Sequence, residues 1–265
     1  MPYCFDPDHD LIDVYEPAVP IRRPAPLVVY VHGGGWTAGS RQQALVELGG
    51  VAQALLARGF VVASVDYRLA PVYRWPAQVE DVKCAVRYLR AAAAQFGIDP
   101  ARVGAIGDSA GGHLAALLGL AGPVAGWDVG PFHDQSSQVQ AVVDLFGPAD
   151  LTAADWRGAS IDLGPSVFGY RRGQAADVLR RASPVWYIGH GGPPFLIIQG
   201  DKDRTVPPSQ SRELYSRLVA AGAPVRLVPV AGAGHEFVPA PGPVRPSLLD
   251  LKLQVVAFFA NYLGA

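Results

Sequence analysis

Cysteine and net charge are both scarce in this sequence, and each shortage excludes a class of protein. Only two cysteines occur among 265 residues, Cys4 and Cys84. They belong to no metal-binding or redox spacing, so we expect no disulfide framework and predict that Cys84 is a reduced interior residue. The formal net charge of −1 provides no electrostatic footprint for nucleic acid or for an anionic membrane surface.

The sequence also has no stretch that resembles a secretory leader or a membrane-spanning segment. The first ten residues, MPYCFDPDHD, have neither a basic start nor the apolar stretch of a secretory leader. No apolar run approaches the roughly 18 residues that a membrane span needs. The sequence therefore predicts a cytoplasmic protein without nucleic-acid or membrane partners, and it is compatible with a homo-oligomer.

Hydrophobic residues make up 50% of the chain, which is enough for a large core in one domain, 1–265. Apolar runs typical of buried strands alternate with helical patterns. The runs that predict strands are LIDVYE, LVVYV, FVVASVDYRL, RVGAIG, VQAVVDLFG, PFLIIQG and VRLVPVAG. Helices are predicted over about 42–57, 77–96, 110–120, 211–222 and 248–263. This alternation predicts an α/β protein with a mostly parallel sheet, in which ligands bind beyond the carboxyl ends of the strands.

One segment, 148–192, interrupts the alternation. It contains no clear strand, only short helical pieces with Trp156, Phe168, Tyr170 and Trp186. A connection of this length inside a compact domain is usually functional. We therefore predict that 148–192 is a small lid over the site.

The stretch GDSAG at 107–111 has the spacing G-x-S-x-G. In this motif a strand turns sharply into a helix and exposes a serine hydroxyl at the turn. The apolar run RVGAIG precedes it, and leucines at helical spacing follow it, so the context fits. Glycines at 107 and 111 allow the flanking chains to approach closely. The pattern predicts that Ser109 is a nucleophile.

A serine hydroxyl needs a base, and His235 is the best candidate among six histidines. It lies in AGAGHEF, on a glycine-rich loop directly after the predicted strand VRLVPV. His32 is expected to brace the HGGGW loop, and His113 to pack beneath the serine turn. The remaining three histidines lie in the N-terminal tail or in loops: His9, His133 and His190.

The base needs a carboxylate to orient it, and PFLIIQGDKDRTVP offers Asp201 and Asp203. Asp203 lies further out on the loop, where it can reach His235, so we favour it. Asp201 is better placed to organise the turn itself. Asp144 and Asp150 are weaker candidates, for which a solvated or capping role is expected.

Attack by a serine leaves an oxyanion, and each backbone N–H aimed at it is worth about 2.7–4 kcal/mol. The glycines of HGGGW offer unobstructed N–H groups, and Ala110 follows the nucleophile. The predicted donors are Gly34, Gly35 and Ala110. A phosphate cradle is a poor alternative for HGGGW, because the Lys-Ser/Thr ending of a P-loop and the spacing of a dinucleotide loop are missing. We predict no metal and no cofactor.

Six motifs in order resemble the α/β-hydrolase esterases: HGGGW, DYRLAP, GDSAGG, LFGPADL, GDKDRTVP and AGHEF. The likeness runs from about 11 to 263 and is greatest to the bacterial branch near the hormone-sensitive-lipase type and the acetylxylan and feruloyl (BD-FAE-like) esterases. It implies Ser109 as nucleophile, Asp203 as acid, His235 as base and 32–36 as the oxyanion loop. The Trp36 amide is an alternative oxyanion donor. We expect the long N-terminal cap helices of many hormone-sensitive-lipase relatives to be absent here.

These residues predict a serine carboxylesterase that acts on small esters. Trp36 and the aromatic residues of 148–192 offer flat apolar surface, which favours short-chain or aryl substrates over triglycerides. The same triad also serves an amidase, an arylformamidase or a peptidase. A ligand-binding protein that has lost the chemistry is a weaker alternative, because Ser109, Asp203 and His235 are all present.

Overall fold

The computed structural model describes residues 1–17, 24–158, 163–170 and 175–264. Its sheet is built from β1 (Ile12–Tyr15), β2 (Ala25–Val31), β3 (Val61–Val65), β4 (Ile98–Asp108), β5 (Ala141–Leu145), β6 (Phe195–Gly200) and β7 (Val225–Val230). The strands lie in the order β1-β3-β2-β4-β5-β6-β7, and within this sheet only the edge strand β1 is antiparallel to its neighbour. The predicted α/β architecture is confirmed.

The α-helices of the described residues are α1 (Val51–Ala57), α2 (Ala77–Ala91), α3 (Ala93–Phe96), α4 (Ala110–Leu120), α5 (Ala154–Gly158), α6 (Ala175–Ala182), α7 (Pro208–Ala220) and α8 (Leu248–Phe259). Apolar side chains of α2, α4 and α7 form one core cluster, and those of α1 and α8 form a second on the other face of the sheet. Strand β2 is buried along its whole length, as expected for a parallel strand covered on both faces. None of the helices among these residues has the length and apolar character needed to cross a membrane.

The predicted helices at 42–57 and 77–96 are shorter than expected. In the first, two 3₁₀ turns, Arg41–Leu45 and Glu47–Gly49, precede α1. Gly50 adopts φ +93° there, a left-handed conformation that an α-helix does not tolerate. The second predicted helix is divided at Ala92, which separates α2 from α3.

The prediction of a reduced Cys84 is wrong, because Cys4 and Cys84 form a disulfide. The N-terminal segment lies against α2, held by a hydrogen bond of 2.6 Å from the Tyr3 hydroxyl to the carbonyl oxygen of Asp66. The Cα atoms of Cys4 and Cys84 lie 6.3 Å apart, within the range that a disulfide spans. The cysteines are 80 residues apart in sequence, so only the docking of the N-terminal segment brings them together.

Candidate active site

Ser109 stands between the end of β4 and the start of α4, as the motif predicts. Its backbone has φ 52° and ψ −117°, a conformation that non-glycine residues rarely adopt. A hydrogen bond of 2.8 Å from its N–H to the carbonyl oxygen of Leu145 helps to hold the turn. A Cβ atom at Gly111 would lie 2.0 Å from the carbonyl oxygen of Val31. Glycine is therefore required where α4 begins against β2.

A chain of hydrogen bonds connects Ser109, His235 and Asp203. The Oγ of Ser109 lies 3.0 Å from Nε2 of His235, and Nδ1 of His235 lies 2.7 Å from Oδ2 of Asp203. The N–H groups of Thr205 and Val206 donate to the other oxygen of Asp203, at 2.8 and 3.0 Å. A carboxylate only accepts hydrogen bonds, so it places the ring proton on Nδ1 and leaves Nε2 to accept the serine proton.

The other aspartates considered from the sequence do not reach His235. Asp201 accepts a hydrogen bond of 2.8 Å from the N–H of Gly232 and pairs with Lys202, so it organises the turn. Asp150 closes a local turn with Thr152.

Asp144 is buried, so of the two roles expected for it, solvated or capping, the structure shows the capping role. Burial raises the pKa of its carboxyl to about 7. The N–H of Gly147 donates to it at 2.8 Å, so it caps the turn that follows β5.

His32 and His113 both have the supporting positions expected from the sequence. The ring of His32 stacks on Tyr67 at 4.2 Å between ring centroids, and its Nδ1 lies 2.7 Å from the carbonyl oxygen of Gly33. His113 is fully buried in α4, and its Nε2 lies 2.6 Å from the carbonyl oxygen of Ala182. Burial lowers the pKa of His113 to about 4, which keeps this ring neutral near pH 7.

The loop after β2 turns sharply and presents backbone N–H groups beside Ser109. Gly34, Gly35 and Trp36 have φ values of 105°, 59° and 58°. The carbonyl oxygen of Gly34 accepts hydrogen bonds from the N–H groups of Thr37 and Ala38, which closes the turn. Among the described residues, no acceptor is bonded to the N–H groups of Gly34, Gly35 or Ala110.

Asp108 holds this loop in place, a role that the sequence analysis missed. Its Oδ1 accepts hydrogen bonds from the Tyr30 hydroxyl at 2.6 Å and from the N–H of Gly33 at 3.1 Å. A Cβ atom at Gly33 would lie 2.2 Å from the other carboxylate oxygen. Burial raises the pKa of Asp108 to about 6. Its position next to Ser109 in the motif is the one sequence signal that could have identified it.

A cavity of about 210 Å³ opens above Ser109. Its walls combine the loop after β2, the ends of β4 to β7 and part of the segment 148–192: Gly34, Gly35, Trp36, Ser109, Ala110, Pro148, Trp156, Leu163, Thr205, Val206, His235 and Glu236. Trp36 is almost fully buried and packs edge-on against Trp156, Phe168 and His113. Across the described ranges, no three or more His, Cys, Asp or Glu side chains are grouped so that they could hold a metal ion.

Curated proteins with similar sequences carry the names of esterases. Esterase LipC of Mycobacterium tuberculosis is 35% identical over 236 residues, which cover 88% of this chain and 58% of LipC. Esterase LipQ of the same organism is 33% identical over 242 residues, which cover 89% of this chain and 56% of LipQ. This chain thus spans a little more than half the length of these two relatives.

Solved structures of esterases have the same fold. A truncated carbohydrate esterase from gut microbiota superposes with a TM-score of 0.81 at 29% identity, covering 96% of this chain and 91% of that one. The butyrate-bound esterase Est2 of Thermogutta terrifontis gives 0.76 at 28% identity, covering 96% and 89%. The BD-FAE family model matches residues 12–218. The chain has the α/β-hydrolase fold and belongs to the BD-FAE family.

Proposed function

We propose that this protein is a serine carboxylesterase that hydrolyses short-chain or aryl esters through an acyl-enzyme. The observation that carries the proposal is the hydrogen-bonded series Ser109–His235–Asp203 at the base of a cavity of about 210 Å³. The esterase names of its relatives support the same reaction.

In the first half of the reaction, the Ser109 oxygen attacks the ester carbonyl carbon while its proton moves to Nε2 of His235. The negative charge on the carbonyl oxygen is stabilised by backbone N–H groups, for which we propose Gly34, Gly35 and Ala110, with the Trp36 amide as the alternative. The imidazolium then gives its proton to the leaving oxygen, which departs as the alcohol.

In the second half, water takes the place of the alcohol. Its proton moves to Nε2 of His235 as its oxygen attacks the acyl carbon, and the serine oxygen takes a proton back when the carboxylic acid leaves. Asp203 stabilises the imidazolium in both halves through its bond of 2.7 Å to Nδ1. No cofactor is needed for any of these steps.

We further propose that 1–265 forms one domain and that 148–192 is its lid. Residues 159–162 and 171–174 of this segment lie outside the described residues. In the described part, Trp156 and Leu163 line the cavity, which supports a lid that limits the length of the acyl chain. Trp36 forms the apolar wall behind them and is proposed to contact substrate.

A panel of p-nitrophenyl esters from acetate to palmitate tests the substrate class. We expect kcat/KM to peak between acetate and about hexanoate and to fall steeply by palmitate. Each further methylene adds about 0.8 kcal/mol only while it can be buried. Methyl ferulate is the expected secondary substrate. A rate that still rises at laurate, or activation at a lipid interface, would indicate a lipase instead.

Ser109→Ala tests the mechanism. We expect kcat to fall by about 10⁴ to 10⁶ while the fold is retained, and a fluorophosphonate probe to label the parent protein but not this variant. Ser216→Ala, at an exposed serine on α7, is the matched control. It should leave kcat and labelling by the fluorophosphonate unchanged. Activity of Ser109→Ala within tenfold of the parent would show that another residue is the nucleophile.

The alternative reaction is amide hydrolysis by the same residues, as in an amidase, an arylformamidase or a peptidase. The paired substrates p-nitrophenyl acetate and p-nitroacetanilide separate the two, since they share the acetyl group and differ in the bond cleaved. We expect the ester to be preferred by several orders of magnitude. A catalytically silent protein would hydrolyse neither and would not react with the fluorophosphonate.

Localisation and assembly remain predictions from the sequence. The sequence predicts a cytoplasmic location, whereas disulfides such as Cys4–Cys84 persist chiefly in oxidising compartments. Alkylation of thiols in intact cells distinguishes a cytoplasmic location from an oxidising compartment. Two free thiols per chain would support the cytoplasm, and no free thiol would contradict it. Light scattering after size-exclusion chromatography measures whether the chain is a homo-oligomer.

A further inference from the structure

Glu236 is a carboxylate at the cavity that the proposed mechanism does not use. It follows His235 directly, lines the cavity and is exposed. Its backbone has φ 54° and ψ 24°, and the next residue, Phe237, has φ 56°. Glycine adopts this left-handed conformation readily and other residues rarely do. The chain thus carries an acidic side chain at a position where the backbone alone favours glycine.

Among the described residues, no lysine or arginine lines the cavity beside Glu236. Apart from His235, the other described residues of the lining are neutral. On the neighbouring loop after β6, the basic residues Lys202 and Arg204 line a separate surface cleft. Among the described acidic side chains, Asp108 and Glu47 are close enough to be affected by the charge of Glu236. Burial raises the pKa of both carboxyl groups, and the charge of Glu236 adds to each shift.

The chemistry of the proposed reaction indicates which half of the substrate leaves toward the loop that carries Glu236. The carbonyl oxygen must point toward the N–H groups of the loop after β2. The leaving oxygen must point toward Nε2 of His235, because that nitrogen gives it a proton. Glu236 directly follows His235 and lines the same cavity, so the alcohol part, which leaves toward His235, is the part of the ester whose charge it is proposed to sense.

We propose that Glu236 is a specificity-determining residue that favours esters of cationic alcohols over esters of neutral alcohols, and disfavours esters of anionic alcohols. The inference rests on the proposed esterase activity and names the substrate class within it. A unit charge about 4 Å from a carboxylate changes affinity about fivefold even in bulk water, and more where the dielectric constant is lower. Charges lining a cleft with apolar walls also raise the local concentration of oppositely charged substrate.

Three acetate esters of nearly equal size test this selectivity. They are acetylcholine, its neutral isostere 3,3-dimethylbutyl acetate, and the anionic 3-acetoxy-2,2-dimethylpropanoate. For the parent protein at low ionic strength, we expect kcat/KM for acetylcholine to exceed that for the neutral ester by about fivefold to tenfold. The anionic ester should be poorer than the neutral one by a similar factor. Sodium chloride at about 0.5 M should shrink both ratios, because it screens exposed charges.

Glu236→Gln and Glu236→Gly should bring both ratios to within about twofold of one. The glutamine variant keeps the shape of the side chain, and the glycine variant also relieves the left-handed backbone, so the two do not share one folding defect. Glu213→Gln, on α7 and outside the cavity lining, removes the same charge and should leave the ratios unchanged.

Ratios in Glu236→Gln that stay within twofold of those of the parent would overturn this inference. Equal rates for the cationic and anionic esters in the parent would overturn it too. Hydrolysis of p-nitrophenyl acetate, measured for every variant, reports the proposed function separately. Its absence in the parent would overturn the proposed function together with this inference, whereas its presence with unselective ratios overturns only the inference.

Discussion

Removal of the Cys4–Cys84 disulfide should destabilise the protein strongly. The bond joins positions 80 residues apart, and the chain-entropy relation for a loop of this length gives about 4.5 kcal/mol at 25 °C. Domains are commonly stable by about 5–15 kcal/mol, so the disulfide would supply roughly 30% or more of the total. Cys4→Ala is the better single change, since Cys84 is fully buried in α2 and its replacement would also leave a cavity.

The native contacts of the N-terminal segment should survive this substitution. The N-terminal amino group donates to the carbonyl oxygen of Ile12 at 2.8 Å, and the Tyr3 hydroxyl donates to that of Asp66 at 2.6 Å. We therefore expect Cys4→Ala to fold and to unfold at a lower urea concentration, with a loss of about 3–4.5 kcal/mol. The measurement is equilibrium urea unfolding followed by tryptophan fluorescence, with reversibility checked by refolding.

Reductant provides the matched control for this experiment. Dithiothreitol should lower the stability of the parent protein to that of Cys4→Ala and should leave Cys4→Ala itself unchanged. The parent protein, purified and unfolded without reductant, should have no free thiols. Two free thiols per chain would refute the reasoning, because the disulfide would then be absent. A loss below about 1 kcal/mol in Cys4→Ala would also refute it, because the cross-link would then contribute little to the unfolded-state entropy.

Four further predictions concern the site and its surroundings. Asp203→Asn should lower kcat by about 10⁴, because His235 would then adopt the wrong tautomer. The kcat of Asp201→Asn should stay within tenfold of that of the parent. The reverse result in steady-state assays would exchange the roles of the two aspartates. Asp108→Ala should lower kcat about tenfold to a hundredfold with little change in KM, because it frees the loop that carries the proposed oxyanion donors; an unchanged kcat for p-nitrophenyl acetate would contradict this. Trp156→Ala should raise the ratio of laurate to butyrate hydrolysis, since Trp156 lines the cavity, and an unchanged ratio would argue against a lid role. Asp144 has a pKa raised from 3.8 to about 7 in the folded protein, so its stabilising contribution is complete below pH 4 and is lost as the pH rises to 7. In urea unfolding, the stability of Asp144→Asn should therefore increase relative to that of the parent between pH 4 and 8. A difference in stability that does not change with pH would contradict this assignment.

Local features of the sequence were sufficient to predict the strands, the serine turn and the architecture. A buried parallel strand is a continuous apolar run, and the turn at Ser109 needs glycines at 107 and 111 within five residues. Both signals depend on neighbouring residues only. The helix predicted over 42–57 failed where local pattern is weakest, at the glycines 49 and 50, whose left-handed backbone stops a helix despite apolar spacing on either side.

Contacts between distant residues were decided only by the tertiary structure. Ser109 and His235 are 126 residues apart in sequence. The sequence predicted their partnership and favoured Asp203 over Asp201, but only the folded loop after β6 shows the bond of 2.7 Å between Asp203 and the imidazole. The disulfide and the tether from Asp108 to Gly33, across 75 residues, have no periodic signature that a sequence could display. The charge of Glu236 was visible from the start, but its place at the cavity depends on how the loop after β7 folds back over β4. A linear pattern records which side a residue faces along its own element, whereas distances between elements follow from packing the whole core.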